Sequence, residues 1–323
     1  MQELEATAEI VEEAEWDVLP TRERGLWSDA FRALRRNRLA IAALVILLIL
    51  AALAVSTDLT FLKHGQLISR YSPYDQVFTQ GSGASNIHQG PSWAHFFGTD
   101  NLGRDTWSRV LTGIEISLEI GIGTQIIVLF VGVMVGVTAA LGGRTSDNIL
   151  MRLTDITYAF PDLLFIILLR SVLSGVKAPI ISEPRLQVML AIAMVNWVTI
   201  ARLVRGQMLS LREHDYVMAA RTLGASNWRI AVQHMLPNTL GPVIVAFAFG
   251  IPIAIFAEAA LGFLGLGLPP PTASLGRLVS DGYVYIQVNI WIVAFSAGAI
   301  ALLMLCFTFL GDGLRDALDP RQR

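Results

Sequence analysis

Few residues in this 323-residue chain have the types and spacing to do chemistry, and most of them carry charge rather than a nucleophile. The two lysines are followed by His64 and Ala178, so neither sits in a GxxxxGK[ST] phosphate loop, and ATP binding of that kind is excluded. HExxH and GxSxG are absent, and no catalytic residue is assigned. His64, His88 and His95 lie too irregularly for a metal centre, so no metal ligand is assigned either. Cys306 stands in an apolar run and reads as a small buried hydrophobe. Glu258 is the one charge of a long apolar stretch. A carboxylate there is expensive and usually faces a bundle interior. It either lines a polar path, pairs across a subunit boundary, or is hydrogen-bonded near the Gly265–Gly267 turn. Asp162 and Arg170 are about two helical turns apart on one face, and can pair or snorkel to opposite interfaces. Arg104, Asp105 and Arg109 cluster before another apolar stretch, as a contact surface or a solvated helix start.

The densest polar island is 205–238. Ser210 and Glu213 match a capping box, which predicts a helix start there. Gly224 is placed to close that helix in a left-handed conformation. Ser226 can cap a second helix through Trp228, Ile230 and Val232, and Pro237 is expected to end it. The expectation is two short helices at a glycine elbow. Ala219 and Ala220 leave one face of the first without bulk, which suits close approach of another protein, although alanine is also simply the best helix former.

These islands must be positioned by apolar elements. The chain is 54% hydrophobic and 15% charged, against roughly 25% charged in soluble domains. Six apolar spans emerge: Leu39–Val55, Ile116–Leu141, Ile156–Leu173, Leu186–Val204, Leu240–Leu268 and Ile290–Leu310. A bilayer-crossing helix needs about 17–25 such residues. The first span begins too far into the chain, and lacks the cleavage site, for a signal peptide. The fold class is an all-α membrane protein with six transmembrane helices. Sixteen of the 24 Lys and Arg residues fall on one set of loops and seven on the alternate set. The inward bias of basic residues therefore predicts cytoplasmic termini. The organisation is an acidic disordered tail (1–20), an amphipathic cytoplasmic helix (21–38), a first span (39–56), an extracytoplasmic segment (57–115), a five-helix core (116–310) and a cytoplasmic tail (311–323). Gly132-x3-Gly136 is a close-packing motif, read mainly as packing within the chain. The net charge of −2 gives no basis for nucleic-acid binding.

Ala219-Ala220-x3-Gly224-x9-His234-x-Leu236-Pro237 resembles the EAA loop of ABC importer permeases, with Met218 where the family has Glu. The ending His-x-Leu-Pro-Asn resembles the dipeptide/oligopeptide (DppC/OppC-like) branch. So do Phe97-Gly98-Thr99-Asp100, Gly143-x3-Asp147, Glu258-Ala259-x-Leu261 and Gly311-Asp312-Gly313 with their flanks. Glu115 stands where that family would have a base.

The resemblance implies a type I importer permease, not an enzyme, in the plasma membrane of a bacterium or archaeon. It carries no cofactor of its own; ATP and Mg belong to partner subunits. Implied partners are a second related permease, two cytoplasmic ATP-binding subunits, an extracytoplasmic substrate-binding protein and the lipid bilayer. It further implies that Asp215, Tyr216, Ala219, Ala220, Arg221, Gly224, Ala225, Leu236 and Pro237 couple to the ATPase. Glu258 and Asp162 become candidates for the translocation path, and Arg104, Asp105 and Arg109 for contact with the binding protein. Relatives of this branch carry dipeptides, longer peptides, nickel chelates or glutathione. A proton- or sodium-driven carrier would need acids grouped at the midplane, and a membrane enzyme would need a nucleophile–base pair or a metal motif.

Overall fold

Why the apolar spans become these helices is visible at their ends. A computed structural model describes residues 26–63, 71–76, 87–176, 178–179 and 181–318. The acidic tail 1–20, His64, the Gly81-Ser82-Gly83 stretch, Lys177 and the last five residues lie outside the described residues. Among those described, regular structure is helical, apart from one bridge between Thr99 and Asp105.

A short helix, α1 (Leu26–Arg36), precedes the first apolar helix, α2 (Arg38–Lys63). The next, α3 (Thr106–Leu141), opens with the Asp105 carboxylate accepting the Ser108 N–H. It starts inside the segment expected to be extracytoplasmic (57–115), because that cap lies eleven positions before the apolar run that begins at Ile116. At about 1.5 Å per residue, its 36 residues span about 54 Å, well beyond a 30 Å hydrocarbon core.

The expected span Ile156–Leu173 is not one helix. α4 (Gly143–Tyr158) and α5 (Asp162–Ser174) meet at 96°. Pro161 disfavours helical geometry at Phe160 and donates no N–H, which breaks the rod. Asp162 then sits in the first turn of α5, where the helix dipole favours an acid. Among the described residues five helices are long and apolar enough to cross a membrane, or six if this bent pair counts as one.

α6 (Pro184–Leu211) is capped by Glu183, which accepts the Leu186 N–H, with Pro184 at its first position. Then come α7 (Asp215–Thr222), α8 (Asn227–Ile230), α9 (Leu236–Phe263), α10 (Leu275–Tyr283) and α11 (Trp291–Leu318). α11 continues eight residues past the expected core boundary at 310, to the last of the described residues.

Close approach of α3 and α6 depends on missing side chains. A Cβ at Gly132 would lie 2.6 Å from Ile200 Cβ, and one at Gly136 2.7 Å from the Ala201 carbonyl oxygen. The small-residue motif therefore packs within the chain. Among the described residues four apolar clusters fill the bundle, the smallest around Trp197, Val198 and Ala201 at the α3–α6 contact. One joins α2, α3, α9, α10 and α11 around Leu111, Ile255, Leu275 and Leu303. A second links α3, α5, α6 and α9 around Ile120, Ile166, Ile192 and Leu261. The third lies at the opposite end and binds α7 and α8 through Val204, Met208, Val217, Ile230 and Met235.

Candidate functional site

The 205–238 island folds as an elbow whose geometry follows from its residues. α6 runs on to Leu211, so Ser210 is a helix-interior residue and the capping box does not form. Buried Met208 holds that last turn in the core, and this tertiary contact outweighs the local capping signal. α7 instead begins after extended His214, with Asp215 in its first turn and Arg221 in its last. Both charges complement the helix dipole.

Gly224 sits at φ +83°. The Ala225 N–H reaches the Ala220 carbonyl at 3.1 Å, and the Gly224 N–H reaches Arg221 at 3.0 Å. That pair of bonds is a Schellman closure, which needs the left-handed residue glycine supplies. Ser226 Oγ then accepts the Arg229 N–H at 3.3 Å and starts α8.

Pro237 does not end this second helix. α8 passes through a π turn, Ala231–Met235, directly into α9. Within it the Leu236 N–H bonds back to the Ala231 carbonyl, five residues earlier. The wider turn brings Pro237 to the start of a helix, where its missing N–H is harmless. The elbow is therefore the end of a continuous helical rod, Asn227–Phe263.

Val217 is fully buried and seats α7 on the bundle, with Ile230, Ala231 and Met235 beside it. Asp215, Tyr216, Ala219, Arg221, Gly224 and Pro237 are exposed, while Ala220, Ala225 and Leu236 are half-buried. The structure thus brings all nine proposed coupling residues to one end of the bundle. Sequence reasoning missed Leu223 (89% exposed), Trp228 (60%) and Met218 (50%), which present an apolar surface on the elbow. The available signal was large apolar side chains inside an otherwise polar loop. Behind the surface, Asn238 Nδ2 donates to the His234 carbonyl at 2.7 Å and to Tyr216 Oη at 3.4 Å. Arg205 Nη2 donates to Asp147 Oδ2 at 2.6 Å, and its Nε also bonds that carboxylate, tying α6 to α4 in a forked pair.

The other candidates lie elsewhere. Glu258 has no exposed surface; it accepts a bond from Ser117 Oγ at 3.1 Å and also interacts with the Ser274 hydroxyl. It joins α9, α3 and α10 rather than facing an open path, and its partners are these serines, not the Gly265–Gly267 turn. Asp162 is exposed and unpaired with Arg170, which is buried at the other end of α5.

Asp105 and Arg109 are 3% and 2% exposed, so neither is a solvated residue or a docking contact. Asp105 accepts Ser108 N–H and Oγ–H and meets His95 Nδ1 at 2.9 Å. Arg109 pairs with Asp100 and lies 3.7 Å from Asp281. Arg104 Nε donates to Asp100 at 2.7 Å and lies nearer the surface. Sequence alone could not foresee this, because Asp281 is 172 positions from Arg109.

Comparison with known proteins bears on the whole chain. Residues 108–323 match the family described as binding-protein-dependent transport system inner membrane component, and residues 25–91 match the N-terminal TM domain of oligopeptide transport permease C. The oligopeptide transport system permease protein OppC of Bacillus subtilis is 38% identical, covering 92% of this chain and 90% of the relative. The dipeptide transport system permease protein DppC of the same organism is 40% identical, over 91% and 86%. OppC of Escherichia coli is 37% identical over 93% of each. A chain of the inward-facing MetNI methionine ABC transporter shares the fold, with TM-score 0.54 and 18% identity, over 65% of this chain and 96% of that one. Carrying an EAA-like elbow on a membrane helix bundle, this chain belongs to the binding-protein-dependent transport system inner membrane components, with an OppC-type N-terminal region.

Proposed function

We propose that this chain is the permease subunit of an ATP-driven peptide importer and that its α7–α8 elbow docks on a cytoplasmic ATPase. The observation that carries the reading is the elbow itself. It is rigidly closed at Gly224, seated through Val217, apolar on its outer side at Leu223 and Trp228, and continuous with a membrane-length helix. Peptide cargo is supported by relatives named for oligopeptide and dipeptide transport. The elbow would then lie in the cytoplasm with both termini, in the plasma membrane of a bacterium or archaeon. ATP and Mg would be bound by two ATPase subunits. A second related permease would complete the path, and an extracytoplasmic binding protein would deliver cargo. Transport follows as rigid-body movement of helices between inward- and outward-facing states.

Gly224 gives the test. A Cβ there meets nothing within 4 Å, so a substitution acts only through the positive φ. Gly224→Asn tolerates that conformation, whereas a β-branched Gly224→Val does not. In proteoliposomes containing the whole complex, Gly224→Asn is expected to retain ATP-driven peptide uptake. Gly224→Val should assemble but lose most of it. Uptake by Gly224→Val at the wild-type rate would overturn the coupling role.

A further inference from the structure

At the end of the bundle that carries the Asp100–Arg109 network, a cleft of about 330 Å³ opens between α5 and the α9–α10 loop. Its lining includes Arg170, Ser171, Ser174, Gly267 and Arg277. The volume is at the small end for ligand sites and suits one terminal residue of a longer molecule.

Arg170 is the unusual member. It is 9% exposed, and its guanidinium is held by neutral groups: Nη1 donates to Gln187 Oε1 at 2.6 Å and Nη2 to the Gly267 carbonyl at 3.4 Å. Gln187 is itself fixed, with Nε2 donating to the Leu173 carbonyl at 3.0 Å. Arg170 Nε is buried without a partner, and among the described residues Arg170 makes no ion pair. Arg277 is different, since its Nε bonds Asp281 at 2.8 Å. A buried charge that is oriented but not neutralised is costly unless an anion completes it. A guanidinium also matches a carboxylate with two parallel donors.

We propose that this cleft is a subsite for the C-terminal carboxylate of the transported peptide, with Arg170 as its charged contact. The proposal rests on the peptide-importer reading and names what the path recognises.

The test uses the complete transporter with saturating binding protein in phosphatidylcholine proteoliposomes, comparing uptake of trialanine and trialanine amide. Wild type should favour the acid. Arg170→Gln should lower acid uptake by about tenfold and reduce the acid-to-amide ratio, while Arg170→Lys should keep part of that ratio. If Arg170→Gln fails to assemble, Ser174→Asp decides, because it places a negative charge at an exposed cleft position. It should depress acid uptake more than amide uptake. An unchanged acid-to-amide ratio in the deciding variant overturns the subsite. So does a loss that appears only when anionic lipid is added, which would assign the anion to a lipid headgroup. If wild type moves neither peptide with ATP, the importer reading falls and takes the subsite with it.

Discussion

Glu258 shows how a single residue can be read correctly as buried while the groups that hold it stay out of sight in the sequence. Its Oε2 accepts from Ser117 Oγ, its Oε1 is buried without a hydrogen-bond partner among the described residues, and the neighbouring Ser274 caps α10 by accepting the Arg277 N–H. Glu258→Gln preserves acceptor geometry and is expected to leave thermal stability of the detergent-solubilised complex within a few degrees. Glu258→Leu strands the buried Ser117 hydroxyl, at a cost of about 1–3 kcal/mol, and should lower the unfolding midpoint clearly. Equal midpoints for the two variants would show that the Ser117 bond contributes nothing. At this scale the sequence was readable where the physics is local. Gly224 and Ser226 behave as their φ preference and capping chemistry require. It was unreadable where a distant partner decides: Arg109 depends on Asp281, and Ser210 on the packing of Met208 that carries α6 through it.

Between elements, the decisive contacts are α3 against α6 and α6 against α4. Gly132→Leu would drive a side chain into Ile200 and the Trp197 carbonyl, both inside 3.1 Å of the added Cβ. Overpacking of this kind costs roughly 1–3 kcal/mol. The variant should give reduced yield and a lower unfolding midpoint, whereas Gly298→Ala, with open space around it, should not. The Asp147–Arg205 fork joins α4 to α6 near the elbow. Asp147→Arg and Arg205→Asp should each lower uptake, and the charge-swapped double variant should recover part of it. No recovery would remove the pair from the coupling route. Five of the six apolar spans were visible as long hydrophobic runs carrying at most one charge each. The third was misjudged as a single rod because hydropathy averages across Phe160-Pro161-Asp162, while backbone sterics act there on single residues.

At the scale of the molecule, the bias of basic residues predicts which end faces inward. The chain carries one cysteine, buried Cys306, so a cysteine-free background needs one change. Trp93 and Leu223 are both 89% exposed and lie at opposite ends of the bundle. In intact cells, Trp93→Cys should react with an impermeant maleimide, and Leu223→Cys only after permeabilisation. The reverse pattern would invert the topology and move the elbow away from any cytoplasmic motor. The bundle could be drawn from spans and flanking charge, but its internal wiring could not, because residues such as Asn289, Gln89 and Thr99 meet only after folding.

The π turn has a mechanical consequence. Because α8 feeds into α9 without a loop, the elbow is one end of a 37-residue strut, about 55 Å long. Loops dissipate a push as slack; a helix transmits it as axial load. Pro242 and Pro252 each remove a backbone N–H from the strut's hydrogen-bond ladder, which weakens it against bending at those two positions. A stroke delivered at the elbow would reach the far end as tilt rather than compression, with the two prolines setting the gear ratio. Under the proposed docking of the elbow, replacing both prolines with Ala should stiffen the strut and change the peptide uptake per ATP hydrolysed, while leaving the elbow surface itself unaltered.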